Sequence, residues 1–344
     1  MLLPHVPAPG STTTEQLDEL VELGVLAERL GFDAYGIGER HDRPAVSSSP
    51  AVLLSHVAAH TSRIRLFTAI TAIGLHDPVR QFEDYATLDH LARGRLDLII
   101  GKGAYAATQR LFNATPDDQW DRLREHYELF RRLWREDRVT WTGTHRPPLQ
   151  DAEGLPRPLQ PAIRVWHGSS TSRLSTDLAA RHGDPLFSSN GAGTIERYAE
   201  LIRHYRERFE AHGHDPADAL VGVGTAGYFG ARTTREAIDR YRPVFEARLA
   251  VNRRYDGATI HFDSVEDWVE RSSVLVGSPQ QIIDKIHEQH RHFGHEIFHI
   301  HVDRAVLGRV DFTESLELFF AEIAPVIRRE LPSRPLDRPA VAVP

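Results

Sequence analysis

Residues 76–105 read HDPVRQFEDYATLDHLARGRLDLIIGKGAY, and this stretch decides the fold. Pro78 suits the first turn of a helix, where its missing N–H is one that a helix leaves unbonded anyway. Phe82, Tyr85, Leu88 and Leu91 then recur at three- and four-residue spacing, the period of an amphipathic helix, and Gly94 stops it. The run LDLII at 96–100 follows almost at once and predicts a buried strand. Its exit, Gly101-Lys102-Gly103, puts a cation on backbone that can approach a ligand closely, at the end of a parallel strand where functional residues collect. The stretch therefore reads as one helix–strand unit ending in an anion site.

The same alternation continues in both directions. Strands are predicted at 34–38, 64–69, 96–100, 163–167, 185–188, 220–229 and 296–302, and helices at 15–30, 51–60, 78–92, 118–135, 174–181, 195–212, 235–249, 279–289 and 313–329. Repeated strand–helix units imply a parallel sheet, and the absence of an early GxGxxG turn favours a closed (β/α)8 TIM barrel over an open sheet. The first strand has only Leu2 and Leu3 before Pro4, so it is expected to be very short or truncated. The Pro-rich run at 147–161 (PPLQDAEGLPRPLQP) is read as a long surface insertion loop, since strand-like sequence resumes at Ile163. Residues 1–344 are accordingly expected to form one barrel domain.

Composition narrows the function. The chain has no Cys and one Met, which excludes disulfides, thiol nucleophiles and Cys-ligated metals. The start MLLPHVPAPG lacks a basic region followed by an apolar core, and no run is long and apolar enough to span a membrane, so a cytoplasmic protein is expected. A net charge of -7 without a basic stripe argues against nucleic acid.

In a barrel, chemistry belongs at the carboxyl ends of the strands. Glu39, Arg40 and His41 follow the second strand, as a solvated loop or as an acid–base group. After 163–167 comes Gly168-Ser169-Ser170-Thr171-Ser172-Arg173 and then a helix. Hydroxyls and N–H groups at a helix N-terminus suit a phosphate, with ordinary Ser/Thr capping as the alternative. In a strand, His299, His301 and Asp303 share one face and Phe298, Ile300 and Val302 the other. The apolar face should meet the helices, which turns the histidines into the barrel near its mouth. A zinc site is one reading of that set; the favoured one is polar lining of a substrate pocket, with no metal.

Pro78-Val79-Arg80, Glu83-Asp84, Leu88-Asp89, Gly94-Arg95 and Lys102-Gly103 resemble the hallmark of bacterial luciferase and the luciferase-like flavin monooxygenases. The segment AERLGFDAYGIGERH at 27–41 is similar to that family's early strand ending in an acidic residue and histidine. Gly277-Ser278-Pro279 resembles its late GTPEE segment, and the likeness extends over residues 15–330. It implies a monooxygenase that takes reduced FMN from a separate flavin reductase and oxidises a small organic substrate through a flavin C4a-hydroperoxide. It assigns the flavin phosphate to Lys102, Ser169, Ser170 and Thr171, with Arg122 beside them, and proton control near the ring to Glu39 and His41. It also implies a non-proline cis peptide between Ala69 and Ile70 beneath the ring, and a homodimer formed through Ala51, Leu54, Ser55, Ala58 and Ala59. Arg40 stands where relatives closest to luciferase carry the first of two histidines, which argues against light emission. Related barrels that move hydride with the deazaflavin F420, and flavin-binding relatives without turnover, are the alternatives.

Overall fold

A computed structural model describes residues 1–4, 10–41, 45–103, 106–191, 193–252, 262–302 and 307–334. Eight parallel strand positions form a closed ring. The first seven are Leu2–Pro4, Ala34–Ile37, Arg65–Thr71, Leu96–Ile100, Val165–Ser169, Leu186–Ser188 and Val221–Val223. The eighth is a broken strand whose two halves pair at opposite edges. Ile297 and Phe298 lie beside Gly222 and Val223, while Ile300, His301 and Val302 lie beside Leu2, Leu3 and Pro4. That double pairing closes the barrel. The first strand is three residues long, as short as expected, and still contacts both neighbours.

The deciding stretch folds as its sequence dictates. Asp77 caps the helix Pro78–Leu91 by accepting from Val79 N at 2.9 Å, and Arg93 and Gly94, at φ 53° and 75°, end it in left-handed backbone. Phe82, Tyr85 and Leu88 face the core, whereas Leu91 is 55% exposed and does not belong to the buried stripe. The five residues of the fourth strand are all buried, because strands pair with it on both sides and helices cover it. Inside the ring, Phe67, Ile99, Trp166 and Phe187 fill the lower barrel. Beneath them the fully buried Asp97 carboxylate is held by Arg65, by Arg164 at 3.3 Å and by Trp166 Nε1 at 3.2 Å. A buried carboxylate survives only with such partners.

Two expectations are corrected. The run 147–161 is only partly loop: Leu149–Glu153 pairs antiparallel with Arg138–Trp141 in a hairpin that folds back on the preceding helix Gln119–Arg135, with Arg132 over the Trp141 ring and Glu125 accepting from Thr144 and His145 N–H. The run 220–229 is two strands. Val221–Val223 belongs to the barrel, and the chain then leaves it for Tyr228–Gly230, which pairs with Leu275–Gly277. Gly224 marks the break, since a Cβ there would sit 2.0 Å from the Ser189 carbonyl. The helices Thr234–Asn252 and Val265–Arg271 cover this small extension around Tyr241, Phe245 and Trp268.

Candidate active site

The carboxyl end of the third strand supplies an apolar step at the barrel mouth. The Ala69–Ile70 peptide is cis, as predicted, and the register slips between Ala69 and Thr71, so this edge bulges. Glycines let it lie close to its neighbours. A Cβ on Gly38 would meet the Ala69 carbonyl at 2.6 Å, and Cβ atoms on Gly101 and Gly168 would meet the Ile70 side chain at 2.3 and 2.9 Å. Ala69 and Ile70 are themselves only half-buried and face the mouth.

Glu39 is fastened to that step. Its N–H donates to the Ile70 carbonyl at 2.8 Å, and its Oε2 accepts from Thr71 Oγ1 at 3.0 Å and Ala72 N at 2.9 Å. Oε1 accepts from two imidazoles, His41 Nε2 and His76 Nε2, each at 2.8 Å. Burial alone would raise the Glu39 pKa, but the bonds from His76, His41 and Ala72 N–H outweigh it and hold the carboxyl down at about 2. The group is therefore an anion at any working pH. Tyr85 hydroxyl, whose pKa burial drives upward, donates to Thr71 Oγ1 at 2.8 Å. The edge of the Phe112 ring packs on both imidazoles, at 4.7 and 4.6 Å between centroids.

Glu39 and His41 are thus brought together as expected. His76, Thr71 and Tyr85 were missed as site residues, although His76 lies in a loop after a barrel strand, the position that singled out His41. Glu39, His41 and His76 have the donor types of a metal centre. Each imidazole nitrogen that faces the carboxylate is already its hydrogen-bond donor, so the set is a hydrogen-bonded triad.

The anion-binding candidates lie on the same rim. Ile100 pairs with His167, and Lys102 follows two residues past the end of the fourth strand while Ser169 ends the strand beside it. Lys102 Nζ donates to Gln119 Oε1 at 2.6 Å and lies 5.6 Å from the Trp120 ring centre, and partial burial lowers its pKa. Ser169 Oγ donates to the Ser172 carbonyl at 3.0 Å, Ser172 caps the helix Arg173–His182, and Ser170 and Thr171 are exposed. Arg122 is turned to its own segment, on Asp118 Oδ2 at 2.7 Å and the Asn113 carbonyl at 3.1 Å. His299 lies inside the ring, stacked 5.7 Å from Phe187, and touches the half-buried His301 at 4.2 Å, as the alternation predicts. Asp303 lies outside the described residues.

The sequence model of the luciferase-like monooxygenase family matches residues 1–296. 4-Hydroxyprotoasukamycin monooxygenase of Streptomyces nodosus subsp. asukaensis is 26% identical over 336 residues, which cover 89% of this chain and 85% of that protein. An F420-dependent glucose-6-phosphate dehydrogenase of Kineococcus radiotolerans is 33% identical over 204 residues, 57% of this chain and 59% of the relative. Several curated relatives are, like it, spanned over only 58–59% of their length. Among solved structures, the oxygenating constituent of 3,6-diketocamphane monooxygenase of Pseudomonas putida, in complex with FMN, superposes with a TM-score of 0.79 at 21% identity, over 94% of this chain and 98% of that one.

Proposed function

The chain belongs to the luciferase-like monooxygenase family, and on that premise we propose that it is a flavin-dependent monooxygenase that uses reduced FMN, delivered by a separate reductase, and O2 to oxidise a small organic substrate. The observation that carries this reading is the join between the Ala69–Ile70 step and the Glu39 triad: an apolar surface open to a flat ring, bonded directly to a buried anion with two imidazoles. Flavin, when bound, supplies the oxygen activation and the electrons. Lys102 and the hydroxyls and helix N-terminus at Ser169, Ser170 and Thr171 would hold its phosphate, with Arg122 contributing once it leaves Asp118. Glu39 holds His41 in the tautomer that presents Nδ1 as a proton acceptor, and after protonation as a donor. Ala69, Ile70 and Phe112 wall the site against water.

F420-dependent hydride transfer is the second reading, favoured by the F420-dependent relative; flavin binding without turnover is the third. Calorimetry with FMN and with F420 separates the first two. Oxygen consumption with NADH, a flavin reductase and a panel of aldehydes, sulfonates and aromatic metabolites then tests for turnover. FMN binding with substrate-dependent oxygen uptake is expected; F420 binding without FMN binding would overturn the proposal.

A further inference from the structure

A carboxylate offers about four acceptor positions, and those of Glu39 are taken by His41 and His76 on Oε1 and by Thr71 and Ala72 N on Oε2. Thr71 Oγ1 itself receives hydrogens from Tyr85 at 2.8 Å and Gln81 at 3.4 Å, so its own proton points at Glu39. A carboxylate filled in this way is a poor place for a proton to arrive. The imidazoles are different. Each gives its Nε2–H to the anion, which leaves the lone pair on Nδ1, and Glu39 is the one hydrogen-bond partner of either ring among the described residues.

We propose that His41 and His76 are a paired proton donor to the reacting molecule, sharing one charge on Glu39, which acts as their positioning residue. His76 is the new member, and the inference rests on the monooxygenase reading. One anion neutralises one imidazolium. With ring centres 6.1 Å apart, the two imidazoles compete for that one charge, and two cations there would sit side by side. In the transfer an oxygen of the bound molecule takes the Nδ1 proton: the N–H bond breaks, an O–H bond forms and the ring is left neutral. Water returns a proton to Nδ1 of the ring that gave one up, and reaches His76 more readily, its side chain being 28% exposed against 9% for His41. The other ionisable groups nearby are Arg40, adjacent to Glu39 in sequence; Asp77, held by Arg146 at 3.1 Å; Tyr85, reached through Thr71; and His126, which senses Glu125, Arg122 and Asp77.

The test is imidazole 15N NMR of the flavin-free protein, together with His76→Gln, whose amide N–H can replace Nε2–H on Glu39. In the wild type both neutral rings should carry their proton on Nε2 and leave Nδ1 bare. In turnover the variant should lose about tenfold or more in kcat, with KM and FMN affinity within about twofold. A proton on Nδ1 of either neutral ring, or wild-type kcat in the variant, would overturn the pairing. If the variant fails to fold, the wild-type spectrum decides alone. If no flavin supports turnover, the monooxygenase reading falls while the spectrum still judges the pair.

Discussion

Replacing Glu39 by Gln removes a charge while keeping the shape, and the structure sets the size of the effect. The amide oxygen can take the bonds from Thr71 and Ala72 N, and the two amide hydrogens can face the two imidazoles, which need only shift to their other tautomer. What is lost is the stabilisation of the ionised carboxyl. Its pKa falls from an ordinary 4.5 to about 2 in the folded state, which at about 1.4 kcal/mol per pH unit is about 3 kcal/mol. A depressed carboxyl pKa stabilises the fold above the unfolded value and loses that contribution as pH falls toward the folded one. Wild type and Glu39→Gln should therefore differ by about 3 kcal/mol at pH 7 and by about half of that at pH 3. Urea unfolding followed by tryptophan fluorescence at pH 7, 5, 4 and 3 measures the difference directly. A gap that stays constant with pH, or lies below about 1 kcal/mol at pH 7, would refute the argument that the histidines and the Ala72 N–H overcome the cost of burying Glu39.

Lys102→Ala combined with Ser170→Ala should weaken FMN by about 10- to 100-fold and riboflavin far less, because only FMN carries the phosphate; equal losses would remove the phosphate from this rim. The protein is expected to be a homodimer. Leu54 and Ala58 are buried in their own subunit, but Val52 is 69% exposed and Ala59 is also exposed on the same helix, so light scattering at micromolar concentration should give twice the chain mass and Val52→Arg should reduce it. Exhaustive dialysis against a chelator should leave FMN affinity and turnover unchanged; a loss restored by a divalent ion would convert the Glu39 triad into a metal centre.

The fold was legible wherever local signals were strong. Pro78, Gly94 and the spacing of Phe82, Tyr85 and Leu88 place a helix and its ends, and the uniformly apolar 96–100 is a central strand. The alternation at 298–302 put His299 inside the ring because strand faces are set by a period of two. The split of 220–229 was not legible, since every residue from 221 to 230 is buried, in both strands and in the link between them, and the partner strand Leu275–Gly277 lies far along the chain. Leu149–Glu153 is polar and largely exposed, so only its cross-strand partner makes it a strand. In the site, Glu39 and His41 followed from family likeness, and so did the cis peptide at Ala69–Ile70. His76 escaped although, like His41, it lies in a loop after a barrel strand, because it stands five residues past the strand end and only the fold shows that this loop returns to Glu39.

Closure of the ring sets a schedule for its assembly on the ribosome. The Met1 ammonium donates to the Phe298 carbonyl across 297 residues, and Ile300 N–H returns to the Met1 carbonyl. At roughly 5–20 residues per second, the last strand emerges about 15–60 s after the first. Until then the nascent sheet has two bare edges, one at Leu2–Pro4 and one at Val221–Val223, each a template for pairing with another chain. Aggregation during synthesis, relieved by slower expression or by chaperones, is the characteristic hazard of a barrel whose first strand must wait for a partner made almost 300 residues later.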